Sequence, residues 1–222
     1  MANKMTQFIL ISACAMLILI TGCAQKKQQV SAVQLFNGTD LSGWHIVLAD
    51  SQYAENDVFF VKDSVLHCTG ATNGYIRTDN DCANYTLTVD WRWIGEPGNS
   101  GVFVHAQPPD KVWPQTIECQ LMAGHAGDFV LIGPNSIKID TTMYETTHKS
   151  KGIGKMHESS EKPAGEWNHY KIVCKDDSIT CYVNGVLQNS GGIASITSGK
   201  ICLQSEGTPI EFRNITMTTL EK

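Results

Sequence analysis

Along Tyr85–Trp93 (YTLTVDWRW) the apolar residues Tyr85, Leu87, Val89, Trp91 and Trp93 alternate with Thr86, Thr88, Asp90 and Arg92. Successive strand side chains point to opposite faces, so this period of two predicts a half-buried β-strand. Related patterns recur along the chain. Val58–Val61 and Val65–Thr69 flank Lys62-Asp63-Ser64, and Tyr170–Cys174 and Ile179–Asn184 flank Lys175–Ser178, each reading as a hairpin. Gly101–Ala106, Gln115–Leu121, Lys200–Gln204 and Ile210–Leu220 read as further strands, and Asn184-Gly185 is a strong turn signal ahead of Val186-Leu187. Helical periodicity is nearly absent. Many short strands with turn signals between them predict an all-β sandwich or jelly roll of two antiparallel sheets. Asp140–Gly165 is poor in apolar residues and predicts a long surface excursion, a kind of segment that is often functional.

Parity along each strand picks out polar side chains that point away from that strand's apolar face. These are Asp90 and Arg92, His105 (on the side of Phe103), Glu118 and Gln120, and Gln204. The stretch Gln115–Phe129 (QTIECQLMAGHAGDF) begins as a strand and breaks into a glycine-rich loop that carries His125 and Asp128. A half-buried strand has little use for an acid such as Glu118 on its open face unless the acid is solvated, paired or at work. Trp44, Trp91 and Trp167 are expected in the core, whereas Trp113, beside Pro114 in a loop, is placed to stack on a sugar ring. His45, His67, His148, His157 and His169 give no signal beyond solvation or packing.

The N-terminus has a different character. Lys4 precedes the apolar run Phe8–Ile20, which ends in Ile20-Thr21-Gly22-Cys23. A basic start followed by such a run predicts a secretory signal peptide over residues 1–22. Its end resembles a bacterial lipobox, with Cys23 as the lipidated residue. Residues 23–32 are polar and are expected to be a tether, leaving 33–222 as a single domain at the cell envelope, attached to the membrane through its lipid only. A domain of this size buries about 70% of its unfolded surface. The net charge of -5 offers no basic patch and argues against a nucleic-acid partner. Of the eight cysteines, Cys14 and Cys23 belong to the leader. The rest sit mostly in apolar strand patterns and are expected to be buried thiols, with Cys68–Cys82 and Cys174–Cys181 left open as bridges. No CxxC pair supports a zinc site.

Several segments, in order, carry a family resemblance. They are Leu35–Trp44 (LFNGTDLSGW), Asn99–Phe103 (NSGVF), Ile117–Gln120 (IECQ), Lys162–Asn168 (KPAGEWN), Tyr182–Gly185 (YVNG) and Pro209–Ile215 (PIEFRNI). Together they span nearly the whole mature chain, which resembles the 3-keto-disaccharide hydrolase domain family. The resemblance implies a concanavalin A-like jelly roll and activity on an oligosaccharide or glycoside already oxidised at carbon 3. Two positions depart from the family pattern. Relatives often carry Arg where His105 stands, and a Gln-Asp-His run where this chain has Gln204-Ser205-Glu206.

Ordinary glycoside hydrolysis needs two carboxyl groups, about 5–5.5 Å apart for retention or about 6.5–9.5 Å for inversion. Laminarinase-like jelly rolls set acids on one strand as Glu-x-Asp-x-Glu; the equivalent Glu118–Met122 keeps only the first. A 3-keto sugar needs less, because the ketone acidifies the proton on carbon 2. One base removes that proton, and the enolate expels the substituent on carbon 1. Water can add afterward. Glu118 is the candidate base, or else a metal-binding acid; His105 follows as acid/base or oxyanion donor. Arg77 and Arg92 are candidates to polarise the ketone, although for Arg92 a structural pairing is the favoured reading. Gln120, Gln204, His125 and Trp113 are candidate sugar contacts. No cofactor is required by the sequence. A divalent cation on Glu118, His125 and Asp128 is conceivable, but the spacing matches no strong metal motif. Two other functions compete: a lectin-like carbohydrate-binding lipoprotein, and a conventional glycosidase whose second carboxylate comes from another strand.

Overall fold

The computed structural model describes residues 32–221. The expected signal peptide, Cys23 and the tether up to residue 31 lie outside the described residues.

The described residues open with β1 (Val33–Gln34) and β2 (Trp44–Leu48), and one helical turn, α1 (Glu55–Val58), leads into β3 (Phe59–Lys62). β4 (Val65–Cys68), β5 (Gly74–Thr78), β6 (Tyr85–Trp93), β7 (Gly101–Ala106), β8 (Thr116–Gln120) and β9 (Phe129–Ile132) follow. The second half holds β10 (Asn135–Ile139), β11 (Thr142–Thr146), β12 (Lys151–Ile153), β13 (Asn168–Lys175), β14 (Ser178–Val183), β15 (Val186–Gly191), β16 (Lys200–Ser205) and β17 (Ile210–Thr219).

The strands form a jelly-roll sandwich of two antiparallel sheets. The first runs β15-β14-β13-β6-β17-β4-β3, with β1 beside β17; the second runs β12-β9-β8-β7-β16-β5-β2. The β10–β11 hairpin stands apart. The expected hairpins form. Asp63 and Ser64 turn β3 into β4, and Asn184 and Gly185 turn β14 into β15, with positive φ at both central positions of each turn. That backbone is the one whose twist suits a two-residue hairpin, and Asn-Gly reaches it at least cost.

The sheets bury their facing sides against each other. Leu87, Val89, Trp91 and Phe212 of the first sheet share one core with Ile76, Val102, Ile117, Cys119 and Leu203 of the second. Each fully buried side chain of this size contributes roughly 1.5–3 kcal/mol. All six described cysteines are free and buried, so neither bridge forms and they act as small apolar core residues.

Four expectations need correction. The polar excursion 140–165 is not all loop: it contains β11, and β12 pairs with β9 at the sheet edge. Trp167 is not core; it is partly exposed, with the guanidinium groups of Arg92 and Arg213 over its ring at 4.5 and 3.9 Å. Asp90 and Arg92 do point away from the core, but their strand lies in the first sheet, whereas Glu118 and Gln204 belong to the second. Parity gives a side chain's direction relative to its own strand and says nothing about which sheet the strand joins.

His105 is the fourth. Phe103 pairs with Cys202, yet Ala106 pairs with Lys200, so two β7 residues oppose the single Ile201. The extra residue makes a bulge, and His105 has φ +57°. Past the bulge, it is Ala106 that joins the outer face with Phe103. His105 turns inward, with its ring edge-on to Tyr85 of the first sheet at 5.7 Å and Nδ1 3.3 Å from the Ile196 carbonyl. Burial lowers its pKa.

Candidate active site

The outer face of the second sheet positions the site. Along one row the register sets Val130, Glu118, Phe103, Cys202, Arg77 and His45 side by side. In the next row Gln120 faces Gly101, and Gln204 faces Tyr75. Tyr75, Phe103, Ala106, Ile132 and Cys202, with Val47 and Val130, make this face an apolar patch outside the main core. Polar groups set among such neighbours lose their water.

Glu118 is the group most affected. It is 3% exposed, and its Oε1 has no hydrogen-bond partner. Gly101, one strand away, makes room for it: a Cβ there would lie 2.1 Å from Glu118 Oε1. The carboxyl therefore rests over bare backbone. Burial, and secondarily the charge of Glu206, pushes its pKa up to about 8. No cation pairs with Glu118 or Glu206 among the described residues.

Glu118 and Gln120 line a cavity of about 440 Å³ together with Asn99, Trp113, His148, Lys149 and Glu206. The volume lies within the usual range for small-molecule sites. Gln120 Oε1 accepts from the amides of Leu121 and Met122, 2.9 Å each, which fixes its side chain on the wall. Glu206, just past β16, accepts a 2.8 Å hydrogen bond from Asn99 Nδ2, and burial raises its pKa too. Gln204 is 1% exposed, with both amide atoms unpartnered. Trp113 is 43% exposed and also lines an adjoining cavity of about 380 Å³.

The remaining candidates lie elsewhere. Arg77 shares the face, but three strand spacings, about 14 Å, separate it from Glu118. It is forked onto Asp110 at 2.8 and 2.9 Å, beside a different cavity of about 420 Å³. Arg92 pairs with Glu211 at 2.6 Å on the other sheet. His125 Nδ1 meets Asp128 Oδ2 at 3.0 Å, while Asp128 Oδ1 accepts from the Lys155 amide at 2.9 Å. Both residues thus brace the glycine-rich loop, with Glu161 accepting from the amides of Gly124 and Ala126. No three His, Cys, Asp or Glu side chains among the described residues are grouped so as to hold a metal ion.

Sequence reasoning passed over Asn99, His148, Lys149 and Glu206 as site residues. Glu206 left a trace as a departure from the Gln-Asp-His pattern, Asn99 as part of the NSGVF segment, and His148 and Lys149 through the polar excursion that holds them. His148, Lys149 and Ser150 reach the cavity from the tip between β11 and β12, inside the polar excursion.

Residues 31–218 match the model of the 3-keto-alpha-glucoside-1,2-lyase-like domain. The chain belongs to that family. Membership makes it one of a carbohydrate-active hydrolase/lyase family, and solved structures agree in fold. A candidate glycosyl hydrolase from Parabacteroides distasonis is 25% identical, with a TM-score of 0.60 over 86% of this chain and 94% of that one. A β-glucanase from Bacillus licheniformis (14% identity, TM-score 0.56, 87% and 100% covered) and a carbohydrate-binding module from Bacillus subtilis (12%, 0.51, 82% and 98%) share the fold. No curated protein matches the chain.

Proposed function

We propose that this protein is a cell-envelope enzyme that cleaves 3-keto-glycosides by removing the proton on carbon 2 and expelling the carbon-1 substituent, with water able to add afterward. One observation carries the reading: a carboxyl group buried in a sugar-sized cavity with no ion-pair partner among the described residues, in a chain of the 3-keto-alpha-glucoside-1,2-lyase-like family. Perturbed carboxyls in clefts cluster at working sites, because the fold otherwise gains nothing from leaving them unpaired.

The chemistry suits the residues at hand. The ketone acidifies the neighbouring carbon, so the site must move a proton and steady an oxyanion. A carboxyl of raised pKa is a stronger base when ionised and a donor near neutral pH when protonated. Gln120, His148 and Lys149 offer N–H groups on the cavity wall for the keto oxygen. Trp113 offers a ring face for a sugar at the mouth. The expected lipid on Cys23 would keep the enzyme at the membrane surface.

Incubation of the purified protein with a 3-keto-disaccharide should release free sugar together with a 3-keto-glycal or its hydrate, read by NMR. Binding without turnover of any 3-keto-glycoside would defeat the enzyme reading and leave a lectin. Glu206 also gives a conventional two-carboxylate glycosidase a specific footing. Cleavage of the unoxidised disaccharide at a similar rate would decide for it.

A further inference from the structure

The geometry points to a division of labour within this site: Glu206 is the base that takes the carbon-2 proton, and Glu118 is the donor that protonates the oxygen leaving carbon 1. The inference rests on the proposed 3-keto-glycoside chemistry and assigns its two proton transfers.

The two roles follow from where one shared proton resides. Both carboxyls line the same cavity, and neither has a cationic partner among the described residues. Two nearby carboxyls do not ionise together readily, so the pair passes through a state with a single proton. That proton goes to the group that tolerates charge less. Glu118 lies against an apolar patch with an unpartnered Oε1, whereas Glu206 is only half-buried and receives the Asn99 N–H. Charge therefore settles on Glu206 and the proton on Glu118. The other groups facing the pair do not reverse this. Lys149 and His148 line the same cavity but form no ion pair to either acid. Tyr170 and Cys119, behind Glu118, are held neutral by burial.

The bonds balance without any further reagent. Glu206 carboxylate takes the carbon-2 proton, and the C–H electron pair moves into a carbon-2 to carbon-3 double bond with the charge on the keto oxygen. As the carbonyl re-forms, that pair becomes a carbon-1 to carbon-2 double bond and the carbon-1 to oxygen bond breaks. The departing oxygen takes the proton of Glu118. The products are the free alcohol or sugar and a 3-keto-glycal, with Glu206 protonated and Glu118 ionised. Transfer of that proton back to Glu118 resets the site. If water adds instead, Glu118 takes a proton from it and Glu206 returns one to carbon 2.

Two near-isosteric variants, Glu118→Gln and Glu206→Gln, test the assignment. The first probe is a 3-keto-1,5-anhydro sugar, which has an acidic carbon-2 proton and no leaving group. Its exchange in D₂O, followed by NMR, needs only the base. Glu206→Gln should slow exchange at least ~10²-fold, and Glu118→Gln by less than about tenfold. The second comparison sets a 3-keto-disaccharide against a 4-nitrophenyl 3-keto-glycoside, whose leaving group needs no proton. Glu118→Gln should slow the disaccharide at least ~10²-fold and the aryl glycoside far less, whereas Glu206→Gln should slow both alike. Loss of exchange in Glu118→Gln with exchange retained in Glu206→Gln would reverse the roles and overturn the assignment. Equal loss in both would overturn it as well. Absence of both exchange and cleavage in the unmodified protein would instead bring down the proposed function itself.

Discussion

The two outer faces of the sandwich carry the same kinds of residue and treat them oppositely. On the first sheet every acid named here is answered. Glu211 meets Arg92 at 2.6 Å and His67 at 3.1 Å, and Asp90 meets His169 at 2.7 Å and the Asn214 amide at 2.7 Å. Arg92 and Arg213 also both lie over the ring of Trp167. On the second sheet Glu118 is more deeply buried than Asp90 and has no ion-pair partner among the described residues. Alternation put acids on both faces; only the cross-strand neighbours differ. Burying a carboxyl against Phe103 and bare glycine backbone costs stability that an arginine would have returned. Local rules tend to be broken at functional sites, so the unanswered acid is what favours this face for the proposed chemistry.

The largest effect should come from neutralising that acid. Glu118→Gln should reduce turnover of a 3-keto-disaccharide by ~10²–10⁴-fold, and near-normal turnover would remove Glu118 from the chemistry. Stability should respond in the other direction. The Glu118 pKa rises from its ordinary 4.5 to about 8 on folding, so the folded state binds the extra proton between these values. Its contribution is present in full below about pH 4.5 and is lost as pH rises through about 8. Thermal unfolding of the unmodified protein should therefore lose ground to Glu118→Gln as pH rises across this window. Buried His105, whose pKa is lowered, gives the opposite slope, but it is present in both proteins and largely cancels in the comparison.

A smaller effect should follow from Gly101→Ala. The new Cβ would meet Glu118 at Oε1, Cδ and Cγ, 2.1, 2.8 and 2.9 Å away, so the carboxyl must move from its seat. Displacing a proton-transfer group by about 1 Å costs up to ~10²-fold in rate. Turnover should fall ~10–100-fold with the fold intact by circular dichroism. An unchanged rate would mean that the seat over Gly101 is not the reactive position.

Much of this architecture was legible in the sequence, and the failures have physical causes. Tyr85–Trp93 announced its strand because every second residue is core, and Asp63-Ser64 and Asn184-Gly185 announced their turns through local backbone preference. Glu118, Gln120 and Trp113 reach one cavity as parity and loop position suggested. His105 failed because a single bulge residue reverses parity, and no local pattern marks that residue. Arg92 failed because sheet membership is decided by pairings distant in sequence, here with Glu211. Arg77 lies on the right face but is committed to Asp110, a partner that only the fold brings near. Glu206 and Lys149 follow or lie between strands, where alternation does not operate.

The smallest effect on activity, and the sharpest contrast, should come from the answered acid. Glu211 is 6% exposed, buried much as Glu118 is, so depth alone does not separate them. Glu211→Gln keeps the volume but removes the charge that holds both His67 and Arg92. A charge-assisted hydrogen bond is worth roughly 1.5–3 kcal/mol, and the partial exposure of Arg92, 32% for its side chain, discounts that toward about 1–2 kcal/mol. A domain of this size then loses ~2–8 °C in Tm. Turnover of the 3-keto-disaccharide should stay within about twofold, because every partner of Glu211 lies on the sheet face opposite the cavity. Glu118→Gln should show the reverse: activity lost and stability kept or gained near pH 8. If Glu211→Gln instead lost turnover at unchanged Tm, the two faces would not be separable, and the inference from an unanswered charge to a working one would fail.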